Sequence, residues 1–146
     1  MYLEVKDIKK SYGADGSYIQ VLKGISTGVE KGEMCVIQGT SGSGKSTLLN
    51  CIGALDVVDS GSICIAGKEI VGLKPQELSE YRRETLGFIF QFYNLLPGLT
   101  AYENVALTRS IVKDAEDPGK MLEAVGLADH KNKFPAQLSG GEQQRV

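Results

Sequence analysis

The sequence predicts an α/β domain, and three observations carry that expectation. Residues 1–33 read as a β-rich start, with Tyr2 to Ile8 alternating as a half-buried strand does. A short apolar run at 34–37 leads straight into a glycine-rich loop and then a helix. After residue 98, capping signals and helical spacing dominate. Composition agrees: 146 residues, 42% hydrophobic and 23% charged, suit one globular domain with a real core.

Taken in order, Tyr2 to Ile8 alternates as a strand, and Gly13-Ala14-Asp15-Gly16-Ser17 is a turn cluster. Tyr18 to Ile25 resumes an extended run, and Glu30-Lys31-Gly32-Glu33 is a second turn. Met34-Cys35-Val36-Ile37 reads as a fully buried strand, and Lys45 to Ile52 as a helix ending near Gly53. Gly61 to Ile70 forms a hairpin turning at Ala66-Gly67-Lys68, with Ile63 and Ile65 on one face. Pro75 suits the first turn of a helix running to about Arg83, and Leu86 to Gln91 reads as another buried strand. Thr100 with Glu103 is a capping box, in which each side chain satisfies the other's backbone donor. Ser139 with Glu142 repeats that spacing, and Gly126 suits the left-handed residue that closes a helix over 121–125.

The formal net charge of −2 provides no basic field for nucleic acid or anionic lipid. Phosphate chemistry therefore needs a local site. No apolar run reaches the roughly 20 residues of a membrane span, and the N-terminus lacks a secretory pattern. Cys35, Cys51 and Cys64 are odd in number and not at metal spacing. Cys35 and Cys64 lie in apolar runs and are expected to be buried thiols, in a reduced cytosolic compartment.

Gly39-Thr40-Ser41-Gly42-Ser43-Gly44-Lys45-Ser46 satisfies the Walker A pattern in the setting it requires, between an apolar run and a helix. The glycines let successive amides curl toward phosphate oxygens, and the helix starting at Lys45 with Ser46 and Thr47 adds its positive end. Lys45 supplies a point charge for the β- and γ-phosphates, and the Ser46 hydroxyl is a hard ligand for Mg²⁺. The loop by itself specifies only a nucleoside triphosphate.

Leu138-Ser139-Gly140-Gly141-Glu142-Gln143-Gln144-Arg145-Val146 resembles the signature motif of ABC ATPases, and the Walker A loop lies upstream in the same chain. The resemblance covers the whole chain. It implies a P-loop NTPase fold with an N-terminal antiparallel β part (1–33 and 61–70), a parallel-sheet core (34–56 and 86–91) and a helical subdomain (98–146). It also implies ATP and Mg²⁺ as ligands. Ser139, Gly140, Gly141 and Glu142 are then expected to contact the γ-phosphate held by another subunit's Walker A loop, in a head-to-tail dimer. Gln91 resembles the glutamine that reaches Mg²⁺ and the attacking water, so that Lys45 and Gln91 serve catalysis and Ser46 and Gln91 the metal. Tyr12 lies where the family places an aromatic ring on adenine.

Gly53-Ala54-Leu55-Asp56, Tyr81-Arg82-Arg83, Leu86 to Pro97 and Leu99 to Val105 are similar to the macrolide-export and lipoprotein-release group. That similarity implies a transmembrane permease as partner, a place on the inner face of the cell membrane, and no nucleic acid. Two departures stand out. Thr27-Gly28 is expected to weaken a strand, and Asp117-Pro118-Gly119 to interrupt a helix.

In the family the signature is followed by the Walker B strand, the catalytic glutamate and a switch histidine. The chain is therefore expected to be truncated after the signature, lacking C-terminal core strands, exposing apolar strand edges, and binding MgATP without hydrolysis. His130 precedes the signature and is expected to be a solvated loop residue. Alternative readings are a non-catalytic truncated product, a DNA-associated ABC ATPase and a ribosome-associated one. Between Gly44 and Leu138 there is no heptad run of the kind that splits the DNA-associated class.

Overall fold

The structure is a computed structural model and describes residues 1–146. It divides into two compact units, 1–82 and 83–146.

The first unit is built on an antiparallel sheet in the order β2-β1-β3-β4, where β1 is Leu3–Ala14, β2 Ser17–Val29, β3 Ser60–Ile65 and β4 Lys68–Glu69. Two Xaa-Gly turns set its hairpins. Asp15 and Gly16 have φ of 52° and 82°, and Ala66 and Gly67 have 49° and 81°. Positive φ at both central residues gives the turn whose twist matches the flanking strands. The turns fix the pairs Ala14↔Ser17 and Ile65↔Lys68. β1 bulges near Asp7, whose amide is taken by the Ser26 hydroxyl at 2.9 Å.

Alternation then places Val5, Ile8, Leu22, Ile63 and Ile65 in the core, with Leu48 and Cys51 from helix α1 (Lys45–Ile52). β2 continues through Thr27 and Gly28, the pair expected to weaken it, and the absent side chain has a use there. A Cβ on Gly28 would lie 1.9 Å from the Met1 sulfur, so the N-terminal residue packs where a side chain would otherwise stand.

The two expected buried strands are not strands. Residues 34–37 and 86–91 join no ladder, and Met34 and Ile89 are 91% and 98% exposed. A strand exists through its neighbours' backbone groups, and no strand lies alongside either segment. The α/β class holds, but the sheet these residues form is wholly antiparallel. Cys35 is accordingly exposed, Cys64 half-buried, and only Cys51 buried.

The sequence boundary between the units falls in α2 (Pro75–Thr85), whose 11 residues make the longest helix. No helix is long and apolar enough to cross a membrane. The second unit packs α3 (Ala101–Ala106), α4 (Pro118–Ala124) and α5 (Gly140–Arg145) with 3₁₀ turns between them. Its core is Ala101, Leu122, Leu127 and Leu138, flanked by Tyr102, Val105 and Val146.

Asp117-Pro118-Gly119 breaks the helical run, as expected, by opening a new helix, α4, after the irregular residues 111–117. The Asp117 carboxylate accepts from the Lys120 amide at 3.1 Å, and Pro118 fills the first helical position, where no N–H is needed. Gly126, with φ of 73°, closes the same helix. Its amide donates to Glu123 O at 2.9 Å, and the Leu127 amide to Leu122 O at 2.7 Å, which brings two core leucines together.

Candidate nucleotide site

The glycine loop forms a tight nest at the start of α1. Gly42 and Gly44 take φ of 78° and 93°, a region L side chains rarely adopt. Gly44 is also close-packed, since a Cβ there would sit 3.0 Å from Val21 and 3.1 Å from Leu22. The Lys45 ammonium folds back into the loop, 2.9 Å from Gly39 O, 2.7 Å from Thr40 O and 3.5 Å from the Ser43 hydroxyl. No acidic residue stands in the first turn of α1, where Ser46 and Thr47 lie. Ammonium, helix dipole and inward-turning backbone thus place positive potential at one spot. Gly39 and Ser43 crowd each other, for a Cβ on Gly39 would lie 2.6 Å from the Ser43 hydroxyl. Ser41 is exposed.

Tyr12, near the end of β1, is tied to the residues that follow α1. Its hydroxyl donates to Asp56 Oδ2, and the Lys10 ammonium lies 5.0 Å from its ring centroid. Lys10 is the one buried charged residue, 9% exposed, pairing with Asp56 Oδ1 at 2.9 Å and donating to Val57 O at 2.6 Å. Burial would raise the Asp56 carboxyl, but bonds from Tyr12, Lys10 and the Val57 amide hold it below the ordinary carboxylate range. The hydrogen bond to Asp56 raises the Tyr12 hydroxyl, with burial adding to it and a bond with Thr47 of α1 opposing it. Tyr12 and the phosphate loop's helix are therefore neighbours in one unit.

The far end of α1 is pinned by two residues that the sequence offered only as part of a family resemblance. Tyr81 donates to Ile52 O at 2.9 Å, a carbonyl that the helix end leaves open, and Arg82 to Ala54 O at 2.7 Å, just past the cap. Burial pushes the Tyr81 hydroxyl up to about 12, with Tyr2 adding to the shift. A capping role of this kind leaves no local sequence signal, because the partners are 28 and 29 residues apart.

In the second unit Gln91 is exposed, just after the Phe88 and Phe90 rings, which stack 5.5 Å apart. Ser139 and Glu142 form the expected capping box: the Ser139 amide donates to Glu142 Oε2 at 2.7 Å, and the Glu142 amide to Ser139 Oγ at 3.3 Å. Gly140 and Gly141 are exposed at the first positions of α5. Backbone and side-chain bonds from Ser139 hold the Glu142 carboxyl below the usual range, helped by His130 and Lys133. His130 is therefore not a solvated loop residue. Its Nε2 lies 3.1 Å from Glu142 Oε1, and its Nδ1 is buried without a partner. The structure places Lys45, Ser46, Thr47 and Tyr12 in the first unit, and Gln91 and the 139–142 motif in the second.

A glycine nest opening a helix, with a lysine folded into its mouth beside an antiparallel β part, defines a nucleotide-binding domain of the P-loop class. The family model for ABC transporters matches residues 22–146, and the chain belongs to that family. It is 47% identical over 150 aligned residues to the macrolide export ATP-binding/permease protein MacB of Shigella flexneri, and equally to that of Escherichia coli strain K12. Those alignments cover 99% of this chain but 23% of the relatives' length. Among solved structures it is similar to the ATP-binding cassette MJ0796, a dimer in a post-hydrolysis state bound to ADP and Pi, with a TM-score of 0.84 and 39% identity over 98% of this chain and 66% of that one. A second dimeric structure of MJ0796, described as a bacterial ABC transporter cassette, gives 0.85 and 38%.

Proposed function

We propose that this chain belongs to the ATP-binding part of an ABC exporter, a subunit that couples ATP binding and hydrolysis to work done by a membrane partner, and that it contributes the MgATP binding. The observation that carries the reading is the Lys45 ammonium set among loop oxygens at the positive end of α1. Those carbonyls hold it where a triphosphate's outer oxygens would replace them as partners. The likeness to a cassette that binds ADP and Pi supports the choice of ligand.

In this reading Gly39 and Ser41–Thr47 bind the phosphates, Tyr12 meets the base, and Gln91 joins Lys45 in positioning the reaction. Ser139–Glu142 contacts the nucleotide of a second, head-to-tail subunit, as the dimeric state of MJ0796 supports. Division into a β part (1–33, 61–70), a nucleotide core (34–56, 86–91) and a helical part (98–146) belongs to the same reading.

Mg²⁺ fits the donor set. No group of three or more His, Cys, Asp or Glu is gathered to hold a metal alone. Mg²⁺ takes few protein oxygens and fills its shell with phosphate and water, so the Ser46 hydroxyl is the kind of donor it would take, and the family resemblance supports Gln91 as a second. The ion, when bound with the nucleotide, would supply charge neutralisation at the phosphates.

MacB's name joins an ATP-binding part to a permease, which supports a permease partner and a place at the inner face of the cell membrane. The one carboxylate among the residues assigned to the site, Glu142, is engaged by the Ser139 amide and by the one histidine. Residues 1–146 on their own accordingly bind MgATP without turning it over.

Calorimetric titration with MgATP, beside a Lys45→Ala variant and a phosphate-release assay, tests this. Saturable heat that vanishes in the variant, with no phosphate released, is the expected result. No binding by the unmutated chain sinks the reading for these residues.

A further inference from the structure

The most constrained polar cluster outside the phosphate loop is the one around Tyr12. Its ring is fixed at two points, the hydroxyl by Asp56 and one side by the Lys10 ammonium. Asp56 is itself immobilised, between Lys10 at 2.9 Å and the Val57 amide at 2.7 Å. The stretch after it is clamped to β1, the Ser11 amide donating to Asp59 Oδ2 at 2.6 Å and the Asp59 amide to Lys9 O at 2.9 Å. Yet Tyr12 remains 43% exposed. A surface tyrosine with no other duty has no need of a buried lysine and an aspartate to orient it, and burying Lys10 carries a desolvation cost. A ring already held in place loses no rotamer freedom when a flat ligand stacks on it.

We infer that Lys10 and Asp56 are positioning residues, which hold the Tyr12 ring as a one-sided stacking platform for the base of the bound nucleotide. The inference rests on the reading of Tyr12 as the base contact. It divides the site's affinity in two: Lys45 and the loop govern the triphosphate, while Lys10, Asp56 and Tyr12 govern the base.

The test is a ratio of two dissociation constants, that for magnesium tripolyphosphate, which has the phosphates and no base, divided by that for MgATP. Tyr12→Ala is expected to weaken ATP roughly five- to a hundredfold, the span of base–aromatic stacking, and to leave tripolyphosphate unchanged. Asp56→Asn and Lys10→Met are expected to produce part of that loss, again on ATP alone. Tyr12→Phe keeps the ring and the Lys10–Asp56 pair but removes the hydroxyl bond, and is expected to lower the ratio less than Tyr12→Ala. Should either charge variant fail to fold, Tyr12→Phe carries the test.

An unchanged ratio in Tyr12→Ala overturns the base-contact reading itself, and the positioning roles with it. A lowered ratio in Tyr12→Ala beside an unchanged one in Tyr12→Phe and the folded charge variants overturns the positioning roles alone. Equal losses on both ligands mean that the cluster only stabilises the fold, and overturn them too.

Discussion

Thr100 with Glu103 opens α3, and Ser139 with Glu142 opens α5, through the same reciprocal pair of side-chain bonds. Beyond the box the two helix ends differ. At α3, the amides of Ala101 and Tyr102 donate to Lys133 O at 2.8 Å and Lys131 O at 2.9 Å, and Ala101 lies in the core. At α5 no such carbonyls meet Gly140 and Gly141, which stay exposed. One end is closed by backbone carbonyls of the protein itself, and the other leaves its first amides exposed. Local capping decides where each helix begins; packing decides what its positive end faces.

The largest expected effect comes from removing what anchors the closed end. Leu122→Ala should cost about 2–5 kcal/mol of unfolding free energy, as truncation of a fully buried leucine does. A loss under about 1 kcal/mol in denaturant titration would show that the core does not hold α3.

The paired cap variants come next. Thr100→Ala and Ser139→Ala should each cost about 1 kcal/mol, since each removes one side-chain bond to an otherwise open amide. Only Ser139→Ala should also reduce MgATP-dependent self-association in sedimentation velocity. Equal association by both variants would remove the functional difference between the two ends.

Acid sharpens the comparison further. Bonds from Thr100, backbone first, hold the Glu103 carboxyl low, and those from Ser139 do the same for Glu142. Both folded values lie below the unfolded one, near pH 4.3. Each contribution is therefore complete above that pH and is lost as pH falls through the lowered folded value. Glu142→Gln retains a residue able to complete the box but not its charge. In a circular-dichroism titration from pH 7 to 3 it should lose less helix signal than the unmutated chain, and an equal loss would place the acid sensitivity elsewhere.

The smallest effect is expected at Gly141. An added Cβ meets nothing within 4 Å, so Gly141→Ala should shift stability by no more than about 0.5 kcal/mol while still reducing association.

Short-range features were readable. Both hairpin turns, both capping boxes, the closing glycine at 126 and the helix from Lys45 to Ile52 follow from residues within a few positions of each other. The phosphate loop was legible for the same reason, since its backbone curl, lysine and helix start are contiguous. The resemblance to ABC ATPases led to the family that the comparison then showed.

Long-range pairing was not readable. Residues 34–37 and 86–91 have strand-like composition, but composition fixes only the tendency, and the ladder needs a neighbour. Lys10 reads as a surface charge until Asp56 and Val57, more than forty residues on, are found around it. His130 reads as solvated until Glu142 is placed beside its ring.

The sequence by itself determined the turns, the caps and the glycine loop before α1, because those depend on dihedral preferences and nearest neighbours, while the class of protein came from the resemblance of its motifs to the ABC family. Only the tertiary structure decided which charged side chains are buried together, how the Tyr12 ring is held, and which helix end stays open. Those outcomes depend on what distant segments bring to a shared place, where loss of water makes each polar group's partner decisive.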